Sequence, residues 1–430
     1  MHAEVTAVTI MPSDEFFLAR QPILGRDERL VAYELLFRAA GEHDDAKLTD
    51  GAAAATAAVI SHASQLGMEQ VVGAQLAFVN VDEVVLMSDF VRFLPADKVI
   101  LEILETVKPT EPLIARVNEL KALGFKFALD DVVVHSADVG KLAQLVDIIK
   151  VDVQGVEASK LAALAESLRS SPHQKLLAEK VETVGEFRLC LELGFDYFQG
   201  YYFARPAIMS GKKIAPSELV ILRLLELINS NADNGTIELA VKRDALISLN
   251  LLRLANSRAA GAGERIDSVA QALAQLGRRQ LQRWLQILLY SAPGARVELN
   301  SPLLQMATTR GKLLELMTMH VRPGDSASAD MAFTVGIMSL MDALFAVPMQ
   351  EILEKVDAAD EVRAALLGRE GEFGIMLKVV EMLERAQGGR PLSAALKKLG
   401  LTVKQVREIE LEAFDWVREL GCEVDLTEAT

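Results

Sequence analysis

The chain has 430 residues, of which 51% are hydrophobic and 24% are charged, and its formal net charge is −15. A chain of this length exceeds one ordinary hydrophobic core and predicts two or three globular domains. The negative charge argues against a general nucleic-acid binder, which would carry a basic face, but allows a small anionic ligand held through metal ions.

The cysteine content and the N-terminal sequence argue against a disulfide-stabilised, secreted or membrane-spanning protein. Cys190 and Cys422 are too few for a disulfide framework or a four-cysteine zinc site. The N-terminal residues lack a basic segment followed by an apolar one, and no uninterrupted apolar run reaches the length of a membrane span. We therefore expect a cytoplasmic protein without a membrane contact.

Strand and helix patterns alternate over about the first 200 residues. Two strands joined at Leu24-Gly25-Arg26-Asp27 predict a hairpin, and a helix over 111–123 ends at Gly124, a favourable C-terminal residue. The predicted strands cover residues 16–22, 29–38, 75–81, 98–104, 126–131, 146–153, 175–179 and 195–198, and an alanine-rich helix covers 51–66. This alternation predicts a (β/α)8-type barrel.

The strand Lys126-Phe127-Ala128-Leu129 ends in two adjacent acids, Asp130 and Asp131. Adjacent carboxylates repel each other unless a cation lies between them, although an isolated pair is more often a solvated turn. The pattern recurs, however, in other predicted strands, and in a barrel the carboxyl ends of the strands converge on one face. We therefore expect the following residues to meet there: Glu34, Asn80, Glu102, Asp130, Asp131, Lys150, Glu179, Glu182 and Gln199.

The chemistry of this set indicates the kind of ion it would bind. Carboxylate and amide oxygens suit Mg²⁺ or Mn²⁺, and no cluster of histidine and cysteine indicates zinc. A pair of such ions is the usual device for attacking a phosphodiester with activated water. The set therefore predicts a two-metal site acting on a phosphodiester.

Short motifs at these positions resemble those of EAL domains, barrels whose members bind or hydrolyse cyclic di-GMP. The resemblance covers residues 1–206 and implies an EAL-type modified (β/α)8 barrel. The motifs that carry it are Glu34-Leu35-Leu36-Phe37-Arg38 for Glu-Ala-Leu-x-Arg, Asn80 in FVNVD, Glu102 in LEILET, Asp130-Asp131 in LDD, Lys150 in IKVD, Ala178-Glu179-Lys180-Val181-Glu182-Thr183 for Ala-Glu-Gly-Val-Glu-Thr, and Gln199-Gly200-Tyr201.

The resemblance also implies roles for individual residues. Lys150 and Glu179 would position or activate the attacking water, Gln199 would line the site, and Arg38 would contact a ligand phosphate. Two Mg²⁺ or Mn²⁺ ions are implied, and the hydrolysis product would be linear pGpG. The implied metal ligands are Glu34, Asn80, Glu102, Asp130, Asp131 and Glu182.

The chain departs from the family pattern next to these residues. Val132-Val133-Val134-His135 follows the acid pair where the family has Phe-Gly-x-Gly. Three β-branched residues are stiff and do not readily adopt the positive φ that glycine allows. Leu35 replaces a small alanine, and Lys180 replaces a glycine. We expect these departures to affect turnover and a possible homodimer more than ligand binding.

From Ser217 onward the pattern changes to helices, and strand signals nearly vanish. Methionines recur along these segments, and we interpret them as core residues because methionine packs well in irregular helical cores. The predicted helices cover residues 217–230, 236–244, 245–257, 267–275, 278–292, 301–320, 327–345, 349–356, 358–367, 370–386, 393–399 and 402–420.

This half resembles the HDOD domain, a helical relative of the HD hydrolases. The resemblance rests on DALISLNLLRLANS at 244–257 and IDSVAQALAQL at 266–276, followed by Gly277. HD hydrolases need several histidines and aspartates around a metal, but His320 is the only histidine beyond residue 206. The resemblance therefore implies an interaction or output module that contacts a protein partner, at 217–430 after a linker at 207–216.

Two classes of function follow. In the first, the barrel binds cyclic di-GMP with divalent metal and hydrolyses it, while the helical half serves as output. In the second, the barrel is a receptor that binds the dinucleotide without cleaving it. A purely structural barrel is a third interpretation, which the retained ligand set disfavours. None of the three involves a nucleic-acid polymer.

Overall fold

The computed structural model describes residues 16–39, 68–104, 107–132, 137–169, 173–204, 216–259, 266–290, 301–356, 358–385 and 387–425. The chain forms two compact units. One comprises residues 1–202 and 381–408, and the other comprises 203–380 and 409–430. The predicted domain limits at 206 and 217 remain a prediction, and the helix expected at 51–66 lies outside the described residues.

Eight strands form a closed barrel in chain order. Strand β1 runs antiparallel to both of its neighbours, β2 and β8, and all other neighbours are parallel. The strands are β1 Phe16–Gly25, β2 Leu30–Ala39, β3 Leu76–Val81, β4 Val99–Ile103, β5 Lys126–Leu129, β6 Ile148–Asp152, β7 Lys175–Glu179 and β8 Tyr197–Gln199. The predicted modified barrel is confirmed, and each strand lies within a few residues of its predicted range.

The reversed direction of β1 follows from the short turn after it. The Gly25 amide donates to the Arg29 carbonyl at 2.8 Å, and Glu28 adopts a φ of 59° inside the turn. A loop this short can join only antiparallel strands, because a parallel connection needs a crossover of about a dozen residues or more. The predicted hairpin therefore explains why this barrel departs from the all-parallel arrangement.

Helices follow most of the parallel strands. The helix predicted at 111–123 is confirmed: the Thr110 side chain accepts the Leu113 amide at 3.4 Å, and Gly124 follows with a φ of 97°. The helices are α1 Met68–Val72, α2 Glu83–Met87, α3 Glu111–Ala122, α4 Ala137–Ala143, α5 Ala158–Leu168 and α6 Val184–Glu192, with 3-10 turns at Asp89–Phe93 and Tyr202–Ala204.

Gly200 allows the last strand to pass close to its neighbour. The Val181 amide donates to the Gln199 carbonyl at 2.9 Å, and the Val181 carbonyl accepts the Tyr202 amide at 3.2 Å. Gly200 has a φ of 148°, and a Cβ at this position would overlap the backbone of Val181. The glycine of the Gln-Gly-Tyr motif is therefore required by the backbone.

We expect Gly200→Ala to lower the free energy of unfolding by about 2–4 kcal/mol, because it adds both backbone strain and a steric clash. Urea denaturation of the full chain, followed by circular dichroism, measures this loss. Gly155→Ala is the matched control, since Gly155 has a φ of 70° but a Cβ added there would meet no heavy atom within 4 Å. An equal loss in the two variants would show that the clash with Val181 contributes nothing.

The second unit and the C-terminal segment are helical throughout their described residues, as predicted. The helices are α7 Pro216–Asn229, α8 Asn234–Lys242, α9 Ala245–Ala259, α10 Val269–Leu288, α11 Pro302–Val321, α12 Ser326–Met338, α13 Met341–Phe345, α14 Met349–Lys355, α15 Asp360–Gly368, α16 Gly371–Glu384, α17 Arg390–Leu399 and α18 Val403–Asp425.

Two details correct the predicted helix limits. Helix α10 contains Gly277 with non-helical angles, φ 70° and ψ 168°, so the two helices predicted there meet at a kink. The single helix predicted over 327–345 is wrong, because α12 ends at Met338 and α13 begins at Met341. Ser339 donates its hydroxyl to the Gly336 carbonyl at 2.6 Å where α12 ends.

One segment in the described part of the chain, Ser326–Phe345, has the length and composition of a membrane span, and 67% of it is buried inside the protein. Burial of this kind is also found in core helices of globular domains, so the segment is weak evidence for a membrane span. The expected cytoplasmic location and lack of a membrane contact remain predictions.

Candidate functional site

A ring of inward-facing side chains lines the barrel just beyond its central core layer. Strand residues two apart share a face, so a residue two positions from a core residue also points inward. The core layer consists of Ile23, Ala32, Phe78, Ile100, Ala128, Ile148 and Leu177. Moving two residues along each strand from this layer leads to Gln21, Glu34, Asn80, Glu102, Asp130, Lys150 and Glu179.

Lys150 forms the centre of this ring. Its ammonium Nζ lies 2.7 Å from Glu102 Oε1, 2.8 Å from Asp130 Oδ1, 2.8 Å from Glu179 Oε1 and 3.2 Å from Glu34 Oε2. The side chain is only 1% exposed, and its long apolar stem lets the charged end reach the ring from within β6. Lys150 therefore holds four carboxylates from four different strands around one positive charge.

Glu34 is the most heavily hydrogen-bonded carboxylate of the ring. Its Oε2 accepts Gln199 Nε2 at 2.6 Å as well as Lys150, and its Oε1 accepts Asn80 Nδ2 at 3.2 Å. Gln199 Nε2 also donates to Gln21 Oε1 at 2.9 Å. These bonds orient Glu34 and connect β1, β2, β3, β6 and β8 at one level of the barrel.

The carboxylates of the ring differ in charge state. Burial alone would raise the pKa of Glu34, but the Lys150 charge and the hydrogen bonds from Gln199, Lys150 and Asn80 lower it. Burial raises the pKa of Glu102 well above its usual value, and the Glu34 charge adds to this. Burial also raises the pKa of Asp130, and it raises the pKa of Glu179 to about 8.

Lys150 itself remains an ammonium. Burial would lower its pKa, but the charges of Glu102, Glu179, Glu34 and Asp130 together hold the pKa well above its ordinary value. One ammonium does not balance four carboxylates, so repulsion between the carboxylates adds to burial, the main cause of the raised pKa values of Glu102, Asp130 and Glu179. The ring holds more acidic groups than basic ones, so binding of a further cation there would be electrostatically favourable.

The donor chemistry of the ring fits a divalent cation. Within the described residues, the buried Oε2 atoms of Glu102 and Glu179 accept no hydrogen bond. Oxygen donors of this kind are the ligands that Mg²⁺ and Mn²⁺ prefer. The carboxylates nevertheless converge on Lys150, and no group of three or more His, Cys, Asp or Glu side chains in the described ranges is arranged around a metal position. A bound ion would have to compete with the ammonium for carboxylate oxygens.

Asp131 lies outside the ring, although its neighbour Asp130 belongs to it. Asp131 has a φ of 47°, and the next amide, that of Val132, donates to the Lys150 carbonyl at 3.0 Å. Lys180 Nζ lies 3.4 Å from Asp131 Oδ1 and 2.6 Å from Asp152 Oδ2. Asp152 is thus an ion-pair partner of Lys180.

Two other predicted residues are not seen to join the ring. Glu182 is half-buried and lies just before α6, where its amide donates to Glu186 Oε2 at 2.8 Å next to the Thr183 capping box. It is not an ion-pair partner of Lys150. Arg38 belongs to β2, but its side chain lies outside the described residues. The structure therefore brings together Glu34, Asn80, Glu102, Asp130, Lys150, Glu179 and Gln199, and the functional roles of all these residues remain predictions.

Gln21 is the member of the ring that the sequence argument missed. It lies on the antiparallel strand β1, directly opposite Glu34 in the hairpin register. Counting back from the turn predicted at residues 24–27 would instead have placed Gln21 opposite Leu30, because the actual hairpin reverses later and its register shifts between Ile23 and Leu24. The sequence argument therefore had no signal that pairs Gln21 with Glu34.

The helical unit uses its motif residues for structure. Asn256 Nδ2 donates to the Ile266 carbonyl at 2.8 Å, and Asn256 Oδ1 accepts the Ile266 amide at 2.8 Å. Asp244 Oδ1 accepts the Ile247 amide at 2.9 Å at the start of α9. His320 Nδ1 contacts the Leu316 carbonyl of its own helix at 3.1 Å. Asn256 therefore satisfies backbone groups of Ile266.

The fold and the ring define an α/β barrel whose polar centre, made of one lysine and several acids, lies toward the carboxyl ends of its strands. Comparison with known protein families identifies two domains in the chain. The EAL domain family model matches residues 7–206, and the HDOD domain family model matches residues 215–339. The chain belongs to the family of proteins in which an EAL domain is followed by an HDOD domain.

Two curated relatives match nearly the whole chain. It is 29% identical over 407 residues to cyclic di-GMP phosphodiesterase CdgJ of Vibrio cholerae serotype O1, with 94% of this chain and 93% of the relative covered. It is 30% identical over 412 residues to the uncharacterized protein YuxH of Bacillus subtilis strain 168, with 94% and 98% covered. The similarity to each relative therefore extends over the residues matched by both family models.

Among solved structures, a standalone EAL protein from Vibrio cholerae O395 in its c-di-GMP bound form is similar to part of the chain. The identity is 23% and the TM-score is 0.35, with 44% of this chain and 92% of that chain covered.

Proposed function

We propose that the barrel binds cyclic di-GMP together with divalent metal ions and hydrolyses one of its phosphodiester bonds to give linear pGpG. The observation that carries this proposal is the meeting of Lys150 with four carboxylates inside the barrel, three of them buried. Membership of the EAL family and the name of the relative CdgJ support the choice of substrate. The chain would thus act in cyclic di-GMP signalling.

Hydrolysis of a phosphodiester requires an activated water and positive charge beside the phosphate oxygens. When bound, two Mg²⁺ or Mn²⁺ ions supply Lewis-acid chemistry and lower the pKa of water. The residues that would hold them are Glu34, Asn80, Glu102, Asp130, Asp131 and Glu182. The excess of acid over base in the ring supports such binding.

Lys150 and Glu179 would act on the water. Lys150 is buried, and its ammonium holds the carboxylates in place by contacting four of them. Glu179 has an Oε2 atom with no hydrogen bond from the described residues and a pKa of about 8. A carboxylate with a pKa near the working pH is well suited to accept a proton from water.

Gln199 and Arg38 would then contact the dinucleotide. Gln199 already lines the ring through its amide, and a guanidinium such as that of Arg38 suits phosphate because it forms paired hydrogen bonds. The helical unit would act as an output module that binds a protein partner. The barrel would form a homodimer. The asparagine contacts described above support an interaction role over a second hydrolase site.

Incubation of the full chain with cyclic di-GMP and Mn²⁺ or Mg²⁺ tests this proposal. We expect linear pGpG to form with either metal and to be absent in EDTA, because the acidic ring needs divalent cations to bring an anionic substrate close. Chromatography of the nucleotides follows the product, and calorimetry follows binding in Ca²⁺.

Binding without product would favour the receptor function, in which the altered segment after Asp131 prevents turnover. A complete lack of binding with all three metals would eliminate both the enzyme and the receptor.

A further inference from the structure

A second group of charges, separate from the ring around Lys150, lies at the ends of β5, β6 and β7. Lys180 Nζ is 2.6 Å from Asp152 Oδ2 and 3.4 Å from Asp131 Oδ1. All three side chains remain partly exposed, with Lys180 at 49%. One lysine thus joins two aspartates from two other strands.

The backbone makes this placement of a lysine unusual. Lys180 has a φ of 55° and Asp131 has a φ of 47°, a left-handed conformation that favours glycine. Lys180 therefore occupies a backbone conformation that glycine, which has no Cβ, adopts with less strain. Its contacts with the two aspartates give it a stabilising role at this position.

The Lys180 group directly adjoins the buried ring. Glu179 precedes Lys180 and is paired in register with Asp152 across β6 and β7. Glu179 is more than nine-tenths buried, and its Oε2 atom accepts no hydrogen bond from the described residues. An unsatisfied carboxylate oxygen therefore belongs to a residue that is in register with Asp152, one of the two aspartates that Lys180 holds.

We propose that Lys180 is a tethered counter-ion that competes with a divalent cation for Asp131 and Asp152. This inference rests on the metal binding in the proposed function and adds a regulation of it. An ammonium and a divalent cation repel each other, so the ion must displace Lys180 from Asp131 to bind there. The chain should consequently bind one ion more tightly and a second ion more weakly.

The strength of the competition follows from the charges and their exposure. An ammonium a few ångströms from a divalent ion repels it appreciably even in a watery environment, but exposure and salt screen this repulsion. We expect that removal of the Lys180 charge strengthens the weaker site by about 10-fold. The tighter site, which depends on the buried ring, should change little.

Manganese binding by the full chain without cyclic di-GMP tests the inference. Electron paramagnetic resonance counts bound Mn²⁺, and calorimetry gives the two dissociation constants. Lys180→Gln should strengthen the weaker site about 10-fold, whereas Lys180→Arg, which keeps the charge, should leave it weak. Lys175→Gln is the matched control, because Lys175 is 48% exposed and pairs with Asp196 at 2.8 Å at the start of the same strand, away from the ring.

The outcomes separate this inference from the function it rests on. Equal weak-site affinities in the wild type and Lys180→Gln would overturn the role of Lys180 and leave metal binding intact. A wild type that binds one ion and a Lys180→Gln variant that binds two would support the competition. No Mn²⁺ binding in either protein would overturn both the inference and the proposed metal site.

Discussion

Replacing Lys150 with methionine is expected to destabilise the barrel by about 3–5 kcal/mol near neutral pH in EDTA. Methionine fills a similar volume, but it leaves Glu34, Glu102, Asp130 and Glu179 buried without their shared counter-ion. Breaking a buried ion pair by removing one partner typically costs this much. Urea denaturation of the full chain measures the loss, and product formation should fall to background.

The loss should depend on pH in a defined direction. Burial already raises the pKa values of Glu102, Asp130 and Glu179 in the folded protein, and loss of the ammonium removes what opposes this. Groups with raised pKa values bind more protons in the folded state, so they favour folding at low pH and this contribution is lost as the pH rises. The difference between Lys150→Met and the wild type should therefore shrink as the pH falls from 8 toward about 5.

Lys175→Met provides the control for loss of a lysine from a strand. Lys175 pairs with Asp196 on the surface, and exposed pairs contribute about 0–1 kcal/mol. An equally small loss in Lys150→Met would mean that the buried carboxylates do not depend on this ammonium.

Replacing Asp130 with asparagine is expected to lower kcat by on the order of 10²–10³, the loss typical when one preorganised electrostatic group is removed from an active site. Asparagine keeps the shape of the side chain, but removes the charge that lies 2.8 Å from Lys150 Nζ and the oxygen proposed to bind metal. Because the folded state keeps its packing, the thermal midpoint should stay close to that of the wild type. The loss of kcat would then not be explained by unfolding. Steady-state kinetics with cyclic di-GMP and Mn²⁺ measures the effect.

Asp147→Asn is the matched control for Asp130→Asn. Asp147 lies just before β6, where its Oδ2 accepts the Phe127 amide at 2.9 Å, and asparagine can keep an acceptor there. Its kcat should stay near that of the wild type. Unchanged product formation in Asp130→Asn would show that the activity comes from another site or from a contaminant.

The strands and most site residues could be predicted from one local signal and one rule of the fold. Short apolar runs end in polar residues, and the carboxyl ends of barrel strands converge on one face. Asn80, Glu102, Asp130 and Glu179 were found in this way. The helices of the second half could also be predicted from the sequence, with one exception. The break at 339–340 was missed because apolar residues continue across it.

The sequence pattern did not predict which carboxylates pair with which lysine. The sequence suggested that Asp131 belongs with Asp130, but adjacent residues need not share a partner, and the positive φ of Asp131 accompanies a pairing with Lys180. Asp152, on the next strand, pairs with the same lysine. Such pairs depend on side-chain reach across three strands, which a linear pattern does not contain.

The sequence by itself determined the alternation of strands and helices, the hairpin at Gly25 and most of the polar residues at the strand ends, because periodicity and turn chemistry are local properties of the chain. Only the tertiary structure decided that Lys150 is the common partner of four carboxylates, that Gln21 joins Gln199, and that Lys180 holds Asp131 and Asp152. The physical reason is closure of the barrel, since it sets the distances between strands that are far apart in sequence.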